Sequence, residues 1–149
     1  MGREEPRPAE RFARTERLDG NHAAVGDKKS PGRLGRVVDH LLVNPGDGFI
    51  FAANVHGDIV GVAAVAAISS VHYAGQVAWL EEHSVLPDWR QRGIGTALVS
   101  AALQRAQEFG MVAVGLDVDA RNERVVSLYA RLGFSRVPRS TWVKVFGSR

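Results

Sequence analysis

A basic, glycine-containing loop near the middle of the chain could bind an anion. It spans residues 90–96 and reads Arg-Gln-Arg-Gly-Ile-Gly-Thr, after an apolar strand-like stretch and before a helical pattern. The first N–H groups of a helix have no partner within the helix and lie at the positive end of its dipole. Glycines there let an anion approach the backbone, and arginines add fixed charge. The loop therefore predicts a site for a phosphate-bearing ligand.

Two common phosphate-binding motifs fit this loop poorly. The nucleoside-triphosphate loop needs Gly-Lys followed by Ser or Thr, and the chain has no lysine between Lys29 and Lys144. The dinucleotide fingerprint needs Gly or Ala where this chain has Leu98, and its first glycine should directly follow a strand. Asp117 lies about where a ribose-binding acid would. A dinucleotide-binding oxidoreductase therefore stays as a third interpretation.

The composition indicates an ordinary globular chain of 149 residues, with 45% hydrophobic and 23% charged residues. Because cysteine is absent, disulfides, thiolate metal sites and a cysteine nucleophile are excluded. The histidines show no ligand spacing, so we expect no metal. The net charge is +3, and the sequence has no cluster of Lys and Arg interleaved with aromatic residues, so we expect no nucleic-acid partner. Without a long apolar run or signal region, we expect no membrane partner and a cytoplasmic location.

Hydrophobic periodicity places the loop within an α/β domain. Residues 1–31 are rich in arginine and carry few large apolar side chains, so we expect a flexible or atypical N-terminal arm before a domain over 32–149. The following patterns predict three helices and a set of strands that begins with a hairpin. The helices are expected at 34–43, 95–109 and 123–132, and the strands at 49–55, 59–68, 77–85, 111–118, 134–137 and 141–146.

The loop and a later stretch together resemble the two signatures of the GNAT family of N-acetyltransferases. Residues 90–95 resemble the family's Arg/Gln-x-x-Gly-x-Gly/Ala motif, and 85–90 resemble its Val-x-Pro-x-x-Arg entry. Residues 116–122 and 128–134 resemble the second signature, a strand and an Asn followed by a helix with Leu-Tyr and then Gly-Phe. The resemblance covers about 34–146. It implies the acyl-CoA N-acyltransferase fold, a mixed, mostly antiparallel sheet with flanking helices, here with an atypical or truncated N-terminal part.

This resemblance implies an acetyl-CoA-dependent N-acetyltransferase in which a primary amine attacks the thioester directly. Acetyl-CoA would be the co-substrate, and the acceptor would be a small-molecule or peptide amine. The pyrophosphate would lie on the loop, and the pantetheine arm would pair with the strand backbone near Val85. The cofactor-binding residues carried over from the family are Val85, Arg90, Gln91, Arg92, Gly93, Gly95, Thr96 and Asn122.

The implied reaction also needs a base for the amine proton and an acid for the departing thiolate. Tyr129 lies two helical turns after Asn122, on the same helix face, and its hydroxyl suits the second task. Glu81 and Glu82 lie on the strand that the cofactor would join, where alternation puts them on opposite faces unless a bulge re-aims them. We favour Glu81 as the base and keep Glu82, His83 and a water relay as alternatives.

Each candidate also has a purely structural interpretation. Tyr129 could belong to the apolar stripe of its helix, Asn122 could only cap that helix, and the glutamates could be solvated strand residues. The atypical N-terminal part favours an alternative function, a non-catalytic acyl-CoA-binding or regulatory module of the same fold. It also leaves the acceptor pocket to be completed by the arm or by a second subunit, so the sequence is compatible with a homodimer.

Overall fold

A computed structural model describes residues 31–119 and 121–147. Four strands form one sheet in the order β1-β2-β3-β4, in which β1, β2 and β3 are antiparallel neighbours and β4 runs parallel to β3. This mixed, mostly antiparallel sheet with flanking helices confirms the predicted fold class. The elements are α1 (Pro31–Val43), β1 (Gly48–Val55), β2 (Asp58–Ser70), β3 (Gly75–Val85), α2 (Ile94–Glu108), β4 (Ala113–Leu116) and α3 (Glu123–Arg131).

The two faces of the sheet carry separate apolar clusters. Val62 and Ala64 of β2 pack with Val38 of α1, which covers one face. Ala63 and Val65, which alternate with them, belong to the larger cluster on the opposite face. That cluster also holds side chains of β3, α2 and α3, namely Ala78, Leu80, Leu98, Val99, Ala102, Ala106 and Tyr129. Helices therefore cover both faces of β2 and β3, the central strands of the sheet.

Local signals in the sequence explain the element boundaries. His56 and Gly57 both adopt left-handed φ between β1 and β2, which confirms the predicted hairpin turn. Helix α2 ends where Gly110 adopts a left-handed φ and donates its N–H to the Gln107 carbonyl. The helices predicted at 34–43, 95–109 and 123–132 and the first three strands are all present. No helix among the described residues is long and apolar enough to cross a membrane.

The C-terminal strand predictions are wrong. Within the described residues, 134–137 and 141–146 form no strand, and apolar side chains such as Trp142, which is 91% exposed, lie in solvent. β4 is also shorter than predicted, and its residues are half-buried rather than buried on both faces. An alternating apolar pattern specifies strand propensity, but a strand forms only where a neighbouring edge pairs with it. The predicted arm lies outside the described residues, apart from Pro31.

Gly48 should be required for the start of β1. Its φ is +149°, and an added Cβ would lie 2.1 Å from the backbone carbonyl oxygen of Val65. We expect Gly48→Ala to lower the free energy of unfolding by about 2 kcal/mol, since both backbone strain and a clash would have to be relieved. Gly46→Ala in the same turn is the control, because a Cβ there meets nothing within 4 Å. Urea unfolding of both variants measures the difference, and equal midpoints would contradict the prediction.

Candidate active site

Strand β3 continues beyond its pairing with β4, and the side of β3 that faces away from β2 over this last part, here called the gap, defines the candidate site. Residues 77–80 of β3 pair with residues 113–116 of β4, whereas β3 continues to Val85 along β2. Over residues 81–85, β3 therefore has a described partner strand on its β2 side and none on its β4 side. A strand edge without a neighbouring strand can bind an extended chain as an added strand. The gap is thus suited to a linear ligand that carries amide groups.

A β-bulge lies at the point where the gap begins. The register passes from Val65 opposite Leu80 to Ala64 opposite Glu82, so Glu81 is the extra residue on β3. The sequence predicted that Glu81 and Glu82 lie on opposite faces of the sheet unless a bulge re-aims them. The structure has this bulge, so regular alternation does not assign their faces. Glu82 now shares the sheet face of Ala64, the face covered by α1. Glu82 is only 8% exposed, whereas Glu81 is exposed.

The glycine loop follows directly from the end of β3. A 3-10 turn over Pro87–Trp89 leads to Gly93, which has φ +80° and is the N-cap residue of α2. Because glycine has no side chain to cap the helix, the N–H groups of the first turn stay accessible to a ligand. The helix therefore starts at the predicted loop, and the anion cradle on its first turn stays a prediction.

Interactions within the loop hold both of its arginines. The Arg90 Nε donates a 3.0 Å hydrogen bond to the Val85 carbonyl, which ties the loop to the end of β3. The Arg92 guanidinium lies 4.7 Å from the centre of the Trp89 ring, in a cation–π contact. Arg90 therefore shapes the loop entry, and Arg92 places positive charge beside the start of α2.

Tyr129 is fixed by the way α3 ends. The Phe134 N–H bonds the Tyr129 carbonyl, and the Gly133 N–H bonds the Ala130 carbonyl, with Gly133 at φ +90°. This is a Schellman motif, in which the residue after the glycine packs back onto the helix. The Phe134 ring lies 5.6 Å from the Tyr129 ring, edge to face. Tyr129 is 8% exposed, so its ring belongs to the core as the structural interpretation expected.

The Tyr129 hydroxyl nevertheless has a specific polar partner. It lies 2.9 Å from the Nδ1 of His83, and the Nε2 of His83 lies 2.9 Å from the carbonyl oxygen of Gly95. Burial raises the pKa of Tyr129 to about 12, with a smaller contribution from the charge of Glu82. Burial lowers the pKa of His83, and its hydrogen bond to the Gly95 carbonyl opposes that shift. At neutral pH the pair is therefore a protonated phenol and a neutral imidazole.

Sequence reasoning listed His83 only as an alternative base and did not single out Ser84. His83 joins Tyr129 to Gly95 across three elements, a contact that no spacing in the sequence indicates. Ser84 is buried near Glu82 on the α1 side, and its Oγ has no hydrogen-bond partner within the described part of the chain. Among those residues, no group of three or more His, Asp or Glu side chains is placed to hold a metal ion.

Asn122 caps α3 in the structure. Its Oδ1 accepts a 3.4 Å hydrogen bond from the Val125 N–H, so the predicted capping role is confirmed, and the cofactor role stays a prediction. The cap uses only the carbonyl end of the side chain. A role for Asn122 in cofactor binding would need its NH₂ group and is compatible with the cap.

Comparison with known proteins identifies the family of this fold and site. The model of the acetyltransferase (GNAT) family matches residues 11–134, which is most of the chain and includes both signature regions. The chain belongs to the GNAT family. The resemblance of the loop and of the Leu-Tyr and Gly-Phe stretch is thereby confirmed. The match also extends over the loop, the gap and Tyr129, so the site described above lies within the family's domain.

Relatives of this GNAT protein include proteins named as acetyltransferases. It is 40% identical to an uncharacterised N-acetyltransferase of Methanocaldococcus jannaschii over 96 residues, which is 63% of this chain and 42% of that protein. It is 34% identical to the mycothiol acetyltransferase of Paenarthrobacter aurescens over 99 residues, 60% of this chain and 28% of that protein. The chain thus spans less than half the length of these relatives.

A solved structure supports the same fold. An aminoglycoside N-acetyltransferase in complex with CoA superposes with a TM-score of 0.71 and 21% identity, over 92% of this chain and 88% of that chain. At that identity the likeness establishes the GNAT fold alone. The acceptor of this GNAT protein is therefore a separate question, since one fold serves many substrates.

Asn122 provides a test that separates its two roles. We expect Asn122→Ala to lower the free energy of unfolding by about 1 kcal/mol, because the first turn of α3 loses its cap. Asn122→Ser keeps a neutral oxygen acceptor for the Val125 N–H and should unfold close to the wild-type temperature. Thermal unfolding measures both variants, and an unchanged Asn122→Ala would contradict the cap. With α3 intact in Asn122→Ser, a loss of acetyl-CoA affinity would assign the side-chain amide to the cofactor.

Proposed function

We propose that this GNAT protein is an acetyl-CoA-dependent N-acetyltransferase that transfers the acetyl group to a primary amine by direct attack on the thioester. The observation that carries the proposal is the continuity of the gap beside residues 81–85 with the glycine N-terminus of α2. A linear pantetheine arm beside β3 would lead its pyrophosphate to that helix start. A ligand with both parts, an amide-bearing chain and a pyrophosphate, is acyl-CoA.

The loop residues divide between backbone and side-chain roles in this proposal. The backbone N–H groups from Arg92 to Thr96 would bind the pyrophosphate. Two of these residues, Gly93 and Gly95, have no side chain that could cover the backbone. Arg92 would add charge from its position over Trp89. Arg90 and Gln91 would shape the loop entry, since the Arg90 Nε is bonded to the Val85 carbonyl and Gln91 has a left-handed φ of 60°.

The reaction needs three groups around the thioester carbonyl. The amine nitrogen forms a bond to the carbonyl carbon, the carbon–sulfur bond breaks, and the thiolate leaves with a proton from Tyr129. A β3 backbone N–H near Val85 would stabilise the oxyanion. We assign the amine proton to Glu82 in preference to Glu81, because the bulge buries Glu82 beside the gap and its charge acts on Tyr129. A water molecule could connect Glu82 to the amine.

A small-molecule amine is the acceptor class that the relatives favour. One relative is named a mycothiol acetyltransferase, and the solved structure is named an aminoglycoside N-acetyltransferase. Both names refer to small molecules. The buried Ser84 hydroxyl lies two strand positions from Glu82 on the same face and could accept from or donate to a polar acceptor there. We therefore propose that the amine enters from the α1 side, opposite Tyr129.

Calorimetric titration with acetyl-CoA, with NAD and ATP as controls, tests the cofactor site. We expect selective binding of acetyl-CoA and at least about tenfold weaker binding by Gly93→Leu, because a side chain would cover the backbone donors. Gly110→Leu is the matched control, since Gly110 ends the same helix with a similar left-handed φ and equally open surroundings. Equal affinities of the two variants would refute the cradle.

Turnover then separates an enzyme from a non-catalytic acyl-CoA-binding module. Thiol release from acetyl-CoA would be followed with an aminoglycoside, a polyamine and a peptide with a free N-terminus. Binding without thiol release on any of them would favour the module. Acetyl-CoA-dependent acetylation of one amine and not the others would identify the acceptor class.

The two glutamates form a matched pair for the base. We expect Glu82→Gln to lower kcat at least about tenfold and to remove the limb of the pH profile that reports the base. Glu81→Gln should stay within about twofold of wild type, because that side chain is solvated. The opposite result would return the base to Glu81, and small effects in both variants would favour a water relay.

A further inference from the structure

We propose that His83 is the positioning residue for Tyr129, holding the phenol hydroxyl in a hydrogen bond that is anchored on the first turn of α2. The hydrogen-bonded residues come from three elements, β3, α3 and α2, and they meet beside the gap. This inference rests on the proposed function, since it assigns a role to His83 through the acid of that reaction.

The direction of the hydrogen bonds follows from their partners. The Gly95 carbonyl can only accept, so the Nε2 of His83 carries the proton of that bond. In a neutral imidazole the other nitrogen is then an acceptor, and the Tyr129 hydroxyl must donate to Nδ1. Both ring nitrogens are therefore engaged in the protein before reaction, and the hydrogen bond holds the phenol oxygen in place. When the carbon–sulfur bond breaks, the hydroxyl proton turns from the neutral Nδ1 to the thiolate, because an anion is the stronger acceptor.

Glycine at position 95 leaves room for this anchor. An added Cβ would lie 3.3 Å from the His83 Nε2, so the imidazole would have to shift by a few tenths of an ångström. The same glycine belongs to the loop proposed to bind the pyrophosphate. His83 thus connects the first turn of α2 to the proposed acid, Tyr129. The position of the phenol relative to the bound thioester is thereby fixed.

The engaged nitrogens also argue against His83 as the general base. A base must accept the amine proton on a free lone pair, and the Nδ1 lone pair already accepts from Tyr129. His83 lies on the sheet face of α2 and α3, whereas Glu82 lies on the face of α1. The two neighbouring residues therefore act from opposite sides of the strand, His83 on the acid and Glu82 on the amine.

Two conservative variants separate the two hydrogen bonds of His83. In His83→Asn the side-chain oxygen lies near the position of Nδ1 and can accept from Tyr129. In His83→Gln the side-chain NH₂ reaches toward the position of Nε2 and can donate to Gly95. His83→Ala removes both bonds. Thermal unfolding of all three controls for stability, and the measured Kd for acetyl-CoA controls for the loop.

Kinetics with acetyl-CoA and the best amine of the panel test the role. We expect His83→Ala to lower kcat roughly 10- to 100-fold with the KM for acetyl-CoA within about threefold of wild type, since orientation of an acid is lost. His83→Asn should recover most of that loss, and His83→Gln should recover little. His83→Ala combined with Tyr129→Phe should be no slower than Tyr129→Phe alone, because His83 acts through the phenol.

Several results would overturn the proposal. One is an unchanged kcat in His83→Ala. Another is a kcat that returns to the wild-type value in His83→Gln but not in His83→Asn. A third is a loss of kcat in the variant with both His83→Ala and Tyr129→Phe that equals the product of the two single losses. Nitrogen NMR of the imidazoles at neutral pH gives an independent readout. We expect His83 with its proton on Nε2, and a shift of the Nδ1 signal in Tyr129→Phe. A proton on Nδ1 would refute the pairing of His83 with Tyr129, whether or not the wild type acetylates an amine. A wild type that acetylates no amine would by itself refute only the proposed function.

Discussion

The separation of β4 from β3 after Leu80 is the constraint on which the rest of the site depends. β4 has only four residues, and its pairing with β3 ends where the bulge at Glu81 begins. A bulge increases local twist and bends its strand, so the last part of β3 leaves the direction of β4 while it stays paired with β2. The result is a stretch of β3 that pairs with β2 and has no described strand on its other side, directly before the glycine loop.

The same bulge distributes the polar groups of β3 between the two faces of the sheet. Without it, Glu82 would fall on the face of α2 and α3, where Leu80 and Tyr129 pack. With the extra residue, His83 takes that face and Glu82 the other. A neutral imidazole and a protonated phenol are compatible with an apolar cluster, whereas a carboxylate would need a charged or well-bonded partner there. One inserted residue therefore places the proposed base, Glu82, and the proposed acid, Tyr129, on opposite sides of β3.

The elements that local signals specify were predictable. The hairpin turn at His56 and Gly57, the end of α2 at Gly110 and the end of α3 at Gly133 each depend on residues that tolerate or favour left-handed φ, and such preferences act over a few residues. The terminal strands were predicted wrongly, because the residues around Trp142 have strand propensity but pair with no described strand, and pairing across a sheet is not encoded by a local pattern. The burial of Glu82 also depends on the register between β2 and β3, which no local pattern encodes.

The sequence by itself determined the family, the position of the candidate anion-binding loop and the identity of Tyr129 as a candidate acid. These follow from residue types at short spacings, and the Gly-Phe that follows Leu-Tyr has a local physical reason in the Schellman motif that packs Phe134 on Tyr129. Only the tertiary structure decided that His83 joins Tyr129 to Gly95 and that Glu82 rather than Glu81 is buried. Those contacts bring together residues far apart in the chain, through a strand register, a bulge and the packing of two helices on one sheet face.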